Sequence, residues 1–438
     1  MRHAGPPSSH PPFWTALFWL CAACNGWQHE SIARGETTGT FSLTVVDRSG
    51  RPVPEALVSL RDRQAHSDAE GVVRFPDLPE GGWLAQIAAP GFASETRPLV
   101  LGFASPGQRS AQIALEPAQA SDVHLLFAGD LSFDGGLADP NRDGIVDDTV
   151  IPAGPGAAAG TAALLNEIRP FLDSFDLVTA TLASVLGDGR TPHPAKADRV
   201  LAPAEVARGL ADARIDVVNL ATAHAYDFLD EGVRQTLAAL DAAQVLRIGQ
   251  GRDAAEASTP SLVERQGLRI GQVSLSQVTG RGAGRHGGDI VPTFEARSDK
   301  AGVTEATPAA VKAAVGGLLA NPTVNSLPLA DLVVAHVAAG GEWDPTPPDL
   351  APMTGAAAAA GASLVLGNGP RAVGPLAITG STLVATSLGQ LVFGGQRPEA
   401  RRAVLLETLV RHRRLVGARL RPVALVHHRP MLATRFRC

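Results

Sequence analysis

Between residues 122 and 430 the chain alternates short apolar runs with Ala- and Leu-rich stretches. No other feature restricts its fold as strongly. The runs are Val123–Ala128, Leu177–Ala180, Val217–Leu220, Ile270–Leu275, Leu332–Ala335, Leu364–Leu366 and Leu383–Ala385. Their length and continuous apolarity suit strands buried on both faces. Helices are predicted between several of them, at Ala162–Arg169, Pro203–Ala213, Glu231–Ala243 and Pro308–Leu319. The last has Thr307 placed as an N-cap and Pro308 at the first helical position, where a missing N–H costs nothing. Buried strands alternating with helices specify an α/β domain of about 300 residues.

The segment 39–117 has a different rhythm. Phe41, Leu43 and Val45 alternate with Ser42, Thr44 and Val46, close to the period of two of a half-buried strand. Further short strands, Ala56–Leu60, Val72–Phe75 and Trp83–Ile87, are separated by Asp47–Gly50, Asp68–Gly71 and Leu78–Gly82 turns. Such spacing predicts a small all-β sandwich, and the order of its turns is similar to the carboxypeptidase-regulatory, transthyretin-like domains. A spacer or docking role is expected of it.

Ahead of it, residues 1–24 read as an export signal. The apolar run Phe13–Ala23 is too short to span a bilayer and ends in Leu20-Cys21-Ala22-Ala23-Cys24. Small residues before a cysteine resemble a lipoprotein signal, in which Cys24 is lipidated and anchors the chain to a membrane; ordinary secretory cleavage is the alternative. Residues 25–38 form a polar linker. The expected location is therefore outside the cytoplasm, in the cell envelope. The three cysteines give neither a disulfide framework nor a zinc spacing. A formal net charge of −5 with no basic stretch argues against a nucleic-acid partner, and 5% aromatic residues argue against a dedicated sugar-stacking module.

Within the α/β region, the apolar run Ile215–Leu220 stops at Ala221-Thr222-Ala223-His224-Ala225-Tyr226-Asp227. In α/β proteins the carboxyl ends of buried strands are where ligands sit. This turn resembles the strand end carrying Ala-Asn-Asn-His in the bacterial capsule-synthesis (CapA-type, poly-γ-glutamate synthesis) family. Five further motifs follow in that family's order. They are Leu125–Asp130 ending in Gly-Asp, and Phe175–Ala183 where Asn-Leu-Glu is usual. Then come Gly340-Gly341-Glu342-Trp343 for His-Trp-Gly-x-Glu-Tyr, Gly367–Arg371 for Gly-His-His-Pro-His, and Ser387–Leu391 for Ser-Leu-Gly-Asn-Phe.

The resemblance implies a metallophosphatase-like layered α/β/β/α sandwich over residues 122–430, with strand ends converging on a two-metal site. Asp130, His224, Asp227 and Glu342 are kept at positions that would be catalytic if the site is active. Thr181, Ala183, Ala223, Asn368, Gly369 and Arg371 stand where the family carries amides, an acid and imidazoles. The histidine expected at Ala338 is absent; His336, two residues earlier and on the same strand face, is a candidate substitute. A transition-metal cofactor is therefore doubtful. Arg371, charged at any physiological pH, is expected to sit where a metal would and to neutralise Asp130 or Asp227.

A second motif, Asp139-Pro140-Asn141-Arg142-Asp143-Gly144, followed by Asp147, places oxygen side chains at alternate positions before a glycine. It predicts a short calcium loop with ligands Asp139, Asn141, Asp143 and Asp147; Val150 at the twelfth position excludes an EF-hand. His427 and His428 are expected on a final strand, pointing to opposite faces. The expected function is a non-catalytic envelope component that binds or assembles an anionic extracellular polymer or docks a partner protein. The alternative is a metal-assisted hydrolase or transferase using the reduced site.

Overall fold

The computed structural model describes residues 37–433, apart from 61–62, 103–108, 120, 139–148, 153, 281–284, 287–288, 291–292, 321–326, 340–343, 345–346 and 396. Cys24, the loop residues Asp139, Asn141, Asp143 and Asp147, and Glu342 lie outside the described residues.

The N-terminal part is all-β. Val72–Pro79, Thr38–Asp47 and Ser110–Leu115 make a three-stranded sheet, and Arg63–His66, Leu57–Leu60, Gly81–Ala88 and Glu95–Leu101 a four-stranded one. The period of two is realised directly: Phe41, Leu43 and Val45 are buried with Val58, Leu60, Phe75, Ile87 and Leu115 in one core between the sheets.

The α/β part holds an eight-stranded and a six-stranded sheet. Their strands are β1 (Val123–Leu131), β2 (Leu177–Leu182), β3 (Val217–Asn219), β4 (Leu246–Ile248), β5 (Ser261–Arg265), β6 (Leu268–Ser276), β7 (Leu332–Ala338), β8 (Leu364–Asn368), β9 (Leu376–Thr379), β10 (Thr382–Ala385), β11 (Gln390–Val392), β12 (Arg402–Arg411), β13 (Arg414–Val426) and β14 (Arg429–Leu432). The first sheet runs β4-β3-β2-β1-β12-β13-β14, with β11 also on β1; the second runs β5-β6-β7-β8-β10-β9. Strands β1 to β4 are mutually parallel, as are β6, β7, β8 and β10.

Strand alternation divides the apolar residues of each sheet between two layers. Val123, Leu125 and Phe127 of β1 pack with Leu332, Val334, Leu364 and Leu366 of the second sheet. Leu126 and Leu131 face α1 (Gly156–Leu165), α2 (Arg169–Leu172), α3 (Val206–Asp212) and α4 (Leu229–Ala243). The outer face of the second sheet buries Val333 and Val365 against α5 (Pro308–Leu319) and α6 (Leu350–Ala359). The order is helices, sheet, sheet, helices. Thr307 caps α5 by accepting from the Ala310 N–H at 3.1 Å.

The two parts are clasped together. Glu95 of the β part receives Arg419 and Arg421 of β13 at 3.0 and 2.5 Å, while Arg421 also pairs with Glu407 and stacks 5.8 Å over the Phe171 ring. Burial pushes the Glu95 carboxyl up, but the guanidiniums of Arg419, Arg97 and Arg421 outweigh it and hold the group below its ordinary range.

One expectation fails outright. His427 and His428 are not on a strand: they form the two-residue turn between β13 and β14, at φ of +47° and +63°. A tight hairpin with both central residues left-handed matches the twist of its strands. Here it forms without the glycine or asparagine that would have marked it.

Candidate functional site

The carboxyl ends of β1, β2 and β3 and those of β6, β7 and β8 meet at one edge of the inter-sheet layer. Two tiers of polar side chains lead up to that edge. In the inner tier, Gln272 donates to Thr179 Oγ1 at 3.0 Å and its carbonyl faces His336 Nε2 at 3.0 Å. His336 is sealed beside Phe127, and burial pushes its imidazole down to about 3. It is a neutral core histidine with a satisfied N–H. Its placement overturns the expectation that it could substitute for the histidine missing at Ala338, because it lies two residues short of the strand end.

The outer tier is built on Asn219, which is fully buried. Its Nδ2 donates to Thr181 Oγ1 at 3.2 Å and to Asn368 Oδ1 at 3.3 Å; its Oδ1 accepts from the Ala221 N–H and from Ser274 Oγ at 3.0 and 2.5 Å. Asn368 in turn donates to the Ala221 carbonyl at 3.1 Å. This network ties the two sheets together and fixes the turn that follows β3.

Above it opens a cleft of about 360 Å³, lined by Asp130, Ser132, Lys196, Asp198, His224, Asn368, Arg371 and Gln390 among others. A β-bulge aims Asp130 into this cleft. Phe127 pairs with Thr179 and Asp130 with Thr181, so three steps on β1 match two on β2. The extra residue returns residue 130 to the inter-sheet face that Phe127 occupies. Gly129 permits the bulge: a Cβ there would sit 2.1 Å from the Gly389 carbonyl oxygen, which accepts the Asp130 N–H at 2.9 Å. Burial pushes the Asp130 carboxyl up to about 7, against the opposing pull of the Arg371 charge and of a 3.0 Å hydrogen bond donated by Gln390 Nε2.

His224 is held from both sides. Asp227 Oδ2 lies 2.8 Å from Nδ1, and Arg371 Nη2 lies 3.3 Å from Nε2. A carboxylate only accepts and a guanidinium only donates, so the neutral ring carries its proton on Nδ1 and presents the Nε2 lone pair to Arg371. Arg371 is also stacked 5.2 Å over the Phe393 ring. Asp227 is fully buried and does not line the cleft. It receives the Lys196 ammonium and the Val200 N–H, the latter at 2.7 Å. It does not cap α4, whose N-cap is Phe228 with no side-chain bond. Lys196 further donates to the Ala223 carbonyl and lies 4.7 Å over the Phe294 ring.

The structure thus brings Asp130, His224 and Arg371 to one cleft, with Asp227 behind His224. The sequence reading missed Ser132, Lys196, Asn219 and Gln390. Gln390 and Asn219 lie inside quoted motifs and could have been found there. Lys196 lies in an irregular segment, where no periodicity signals where a side chain points. Among the described residues, no cluster of three or more His, Cys, Asp or Glu side chains is placed to hold a metal ion, and no helix is long and apolar enough to cross a membrane.

Comparison with known proteins follows this division of the chain. The carboxypeptidase regulatory-like domain family matches residues 40–125. The PGA biosynthesis protein CapA of Bacillus subtilis (strain 168) is 26% identical over 192 residues, which are 43% of this chain and 45% of that protein; the match therefore spans under half of the relative's length. Among solved structures, a hypothetical protein from Thermus thermophilus is 17% identical, with a TM-score of 0.39 over 68% of this chain and 98% of its own. The Bacillus anthracis TIE protein is 14% identical, with a TM-score of 0.15 over 23% of this chain and 20% of its own. The profile of the family described as bacterial capsule synthesis protein PGA_cap matches residues 124–395, well over half of the chain, and the protein belongs to that family.

Proposed function

We propose that this protein is an exported cell-envelope component of capsule or poly-γ-glutamate synthesis whose cleft binds an anionic extracellular polymer without catalysing its chemistry. In this reading residues 122–430 form a metallophosphatase-like sandwich in which cationic side chains stand in for metal ions. The observation that carries it is the contact of Arg371 Nη2 with His224 Nε2, 3.3 Å apart at the edge where the strand ends meet. The nitrogen that would bind a metal or take a proton faces a permanent cation instead.

The other donors support the same reading. Both Asp227 oxygens are engaged, by Lys196 on one side and by Val200 and His224 on the other. The Asn368 amide is engaged by Asn219 and Ala221. Among the described cleft residues that leaves two carboxylates, Asp130 and Asp198, the first under the pull of the Arg371 charge, a poor fit to two divalent cations that need several free ligands. Arg371 offers several N–H donors in a planar fork suited to carboxylate or phosphate.

The competing reading, a metal-assisted hydrolase or transferase, rests on Asp130 and His224 facing one cleft. Two measurements on the purified protein separate the readings. Metal analysis should find no stoichiometric transition metal; two tightly held ions per chain would overturn the binding proposal. Arg371→Met should weaken poly-γ-glutamate binding about tenfold, the worth of a charge-assisted hydrogen bond, while leaving the melting temperature nearly unchanged. A lipid anchor on Cys24, a docked envelope protein partner and a calcium ion held by Asp139, Asn141, Asp143 and Asp147 complete the proposal.

A further inference from the structure

Among the described residues, two buried oxygens in the cleft have no partner. Ser132 Oγ and Gln390 Oε1 are each buried without a hydrogen bond, in side chains 2% exposed, and both residues line the cavity. Leaving such an atom unsatisfied costs about 1–3 kcal/mol, and such costs are tolerated where a ligand relieves them. The Gln390 amide is oriented by Asp130, which takes its Nε2 at 3.0 Å and so leaves the acceptor end as the unused one. The same pocket carries Asp130 and Asp198 alongside Arg371. Its lining is therefore mixed: the Arg371 guanidinium stands among carboxylates, the bare Gln390 acceptor and a Ser132 hydroxyl that can accept as well as donate. A simple polyanion would use the guanidinium, and the hydroxyl as a donor, but would leave the Gln390 acceptor unmet.

We infer that the cleft recognises a dipolar unit: a carboxylate received by Arg371, with an N–H or O–H donor on a neighbouring carbon received by Ser132 Oγ and Gln390 Oε1. This rests on the binding reading above and adds a requirement to it, since a bare carboxylate is not enough. The cavity volume is at the small end of ligand sites, which suits one or two such units. The donor could come from an amino acid or from a hydroxy acid. The shared chemistry is an acid with a donor beside it, and the probes tell the two sources apart.

The test is calorimetric titration of the full chain with three five-carbon diacids of matched charge at the acid groups: glutamate, 2-hydroxyglutarate and glutarate. At least one donor-bearing probe should bind about fivefold or more tightly than glutarate, the worth of one buried hydrogen bond. Preference for glutamate assigns an ammonium or amide donor, and preference for 2-hydroxyglutarate a hydroxyl. In Ser132→Ala combined with Gln390→Met, the preference should vanish while glutarate binding is kept and the thermal melt stays cooperative. Ser132→Ala alone, the milder change, should reduce the preference. Equal binding of all three probes, no binding of any, or a preference that survives the double substitution would each overturn the inference. If poly-γ-glutamate still binds in an Arg371-dependent way, only this inference falls. If it does not bind at all, the parent reading falls with it.

Discussion

The inner polar tier and the cleft occupy the same layer, between the same two sheets, and each contains a histidine. In the inner tier every member has a partner: Thr179, Gln272 and His336 satisfy one another, and no charge is present. In the cleft the imidazole of His224 sits between a carboxylate and a guanidinium, Asp130 is a strongly perturbed acid, and two oxygens find no partner among the described residues. Sealed polar groups that answer each other make a rigid joint between sheets. Groups that do not answer each other mark a place where something else completes the set. The distinction lies in the accounting of donors and acceptors rather than in residue type.

The contrast can be broken most sharply through acid. His336 takes a proton near 6.5 in the unfolded chain but only near 3 when folded. Its contribution is intact above pH 6.5 and is lost as pH falls from 6.5 towards 3, by up to about 5 kcal/mol. Urea unfolding of the wild type and His336→Gln at pH 7 and pH 4 should show the substituted protein losing much less across that interval; parallel losses would remove His336 as the cause.

Next in size is Lys196→Met, which leaves the fully buried Asp227 without its ion partner and should cost about 3–5 kcal/mol. Lys196→Arg should recover part of this. A stability within 1 kcal/mol of wild type, on the order of a surface pair, would place Lys196 in solvent instead.

Asp130 should act with the opposite sign to His336. Its folded carboxyl holds its proton up to about 7 against an ordinary 3.8. Between those values the folded state binds a proton that the unfolded state has released, so stability falls as pH rises through the window, by about 4 kcal/mol in all. Asp130→Asn removes the ionisation, so its stability relative to wild type should rise from pH 4 to pH 8. A flat difference would mean that the carboxylate is solvated. The smallest effect expected is that of calcium. Millimolar calcium should raise the melting temperature by about 2–4 °C, a gain near 1 kcal/mol, and the rise should be absent in Asp143→Ala.

Much of this architecture is legible in the amino-acid sequence, because buried strands announce themselves as apolar runs. The runs beginning at Val123, Leu177 and Leu332 each fall within a strand, that beginning at Val217 overruns its strand by one residue, and the helix Pro308–Leu319 has the cap and the proline that define its start. The motif residues Asp130, His224 and Arg371 are visible for a different reason: they interrupt the pattern at strand ends. Four things stay hidden. The bulge before Asp130 depends on a backbone contact with Gly389, some 260 positions away in the chain. Lys196 reaches Asp227 from an irregular segment, where side-chain direction follows tertiary packing. His336 looked like a ligand because its face was right, but its depth was wrong, and depth along a strand is set by where the neighbouring strands end. Asn219, inside an apolar run, reads as a blemish in the pattern until its four partners are seen.

The close approach of Gly129 to the Gly389 carbonyl has a consequence for how this family member can change. No side chain of any size fits at position 129, so the direction in which residue 130 leaves the sheet is locked by backbone alone. What stands at 130 can be exchanged, acid for amide or amide for alcohol, and the newcomer inherits the same aim. The pocket can alter its chemistry one substitution at a time while its address within the molecule stays put.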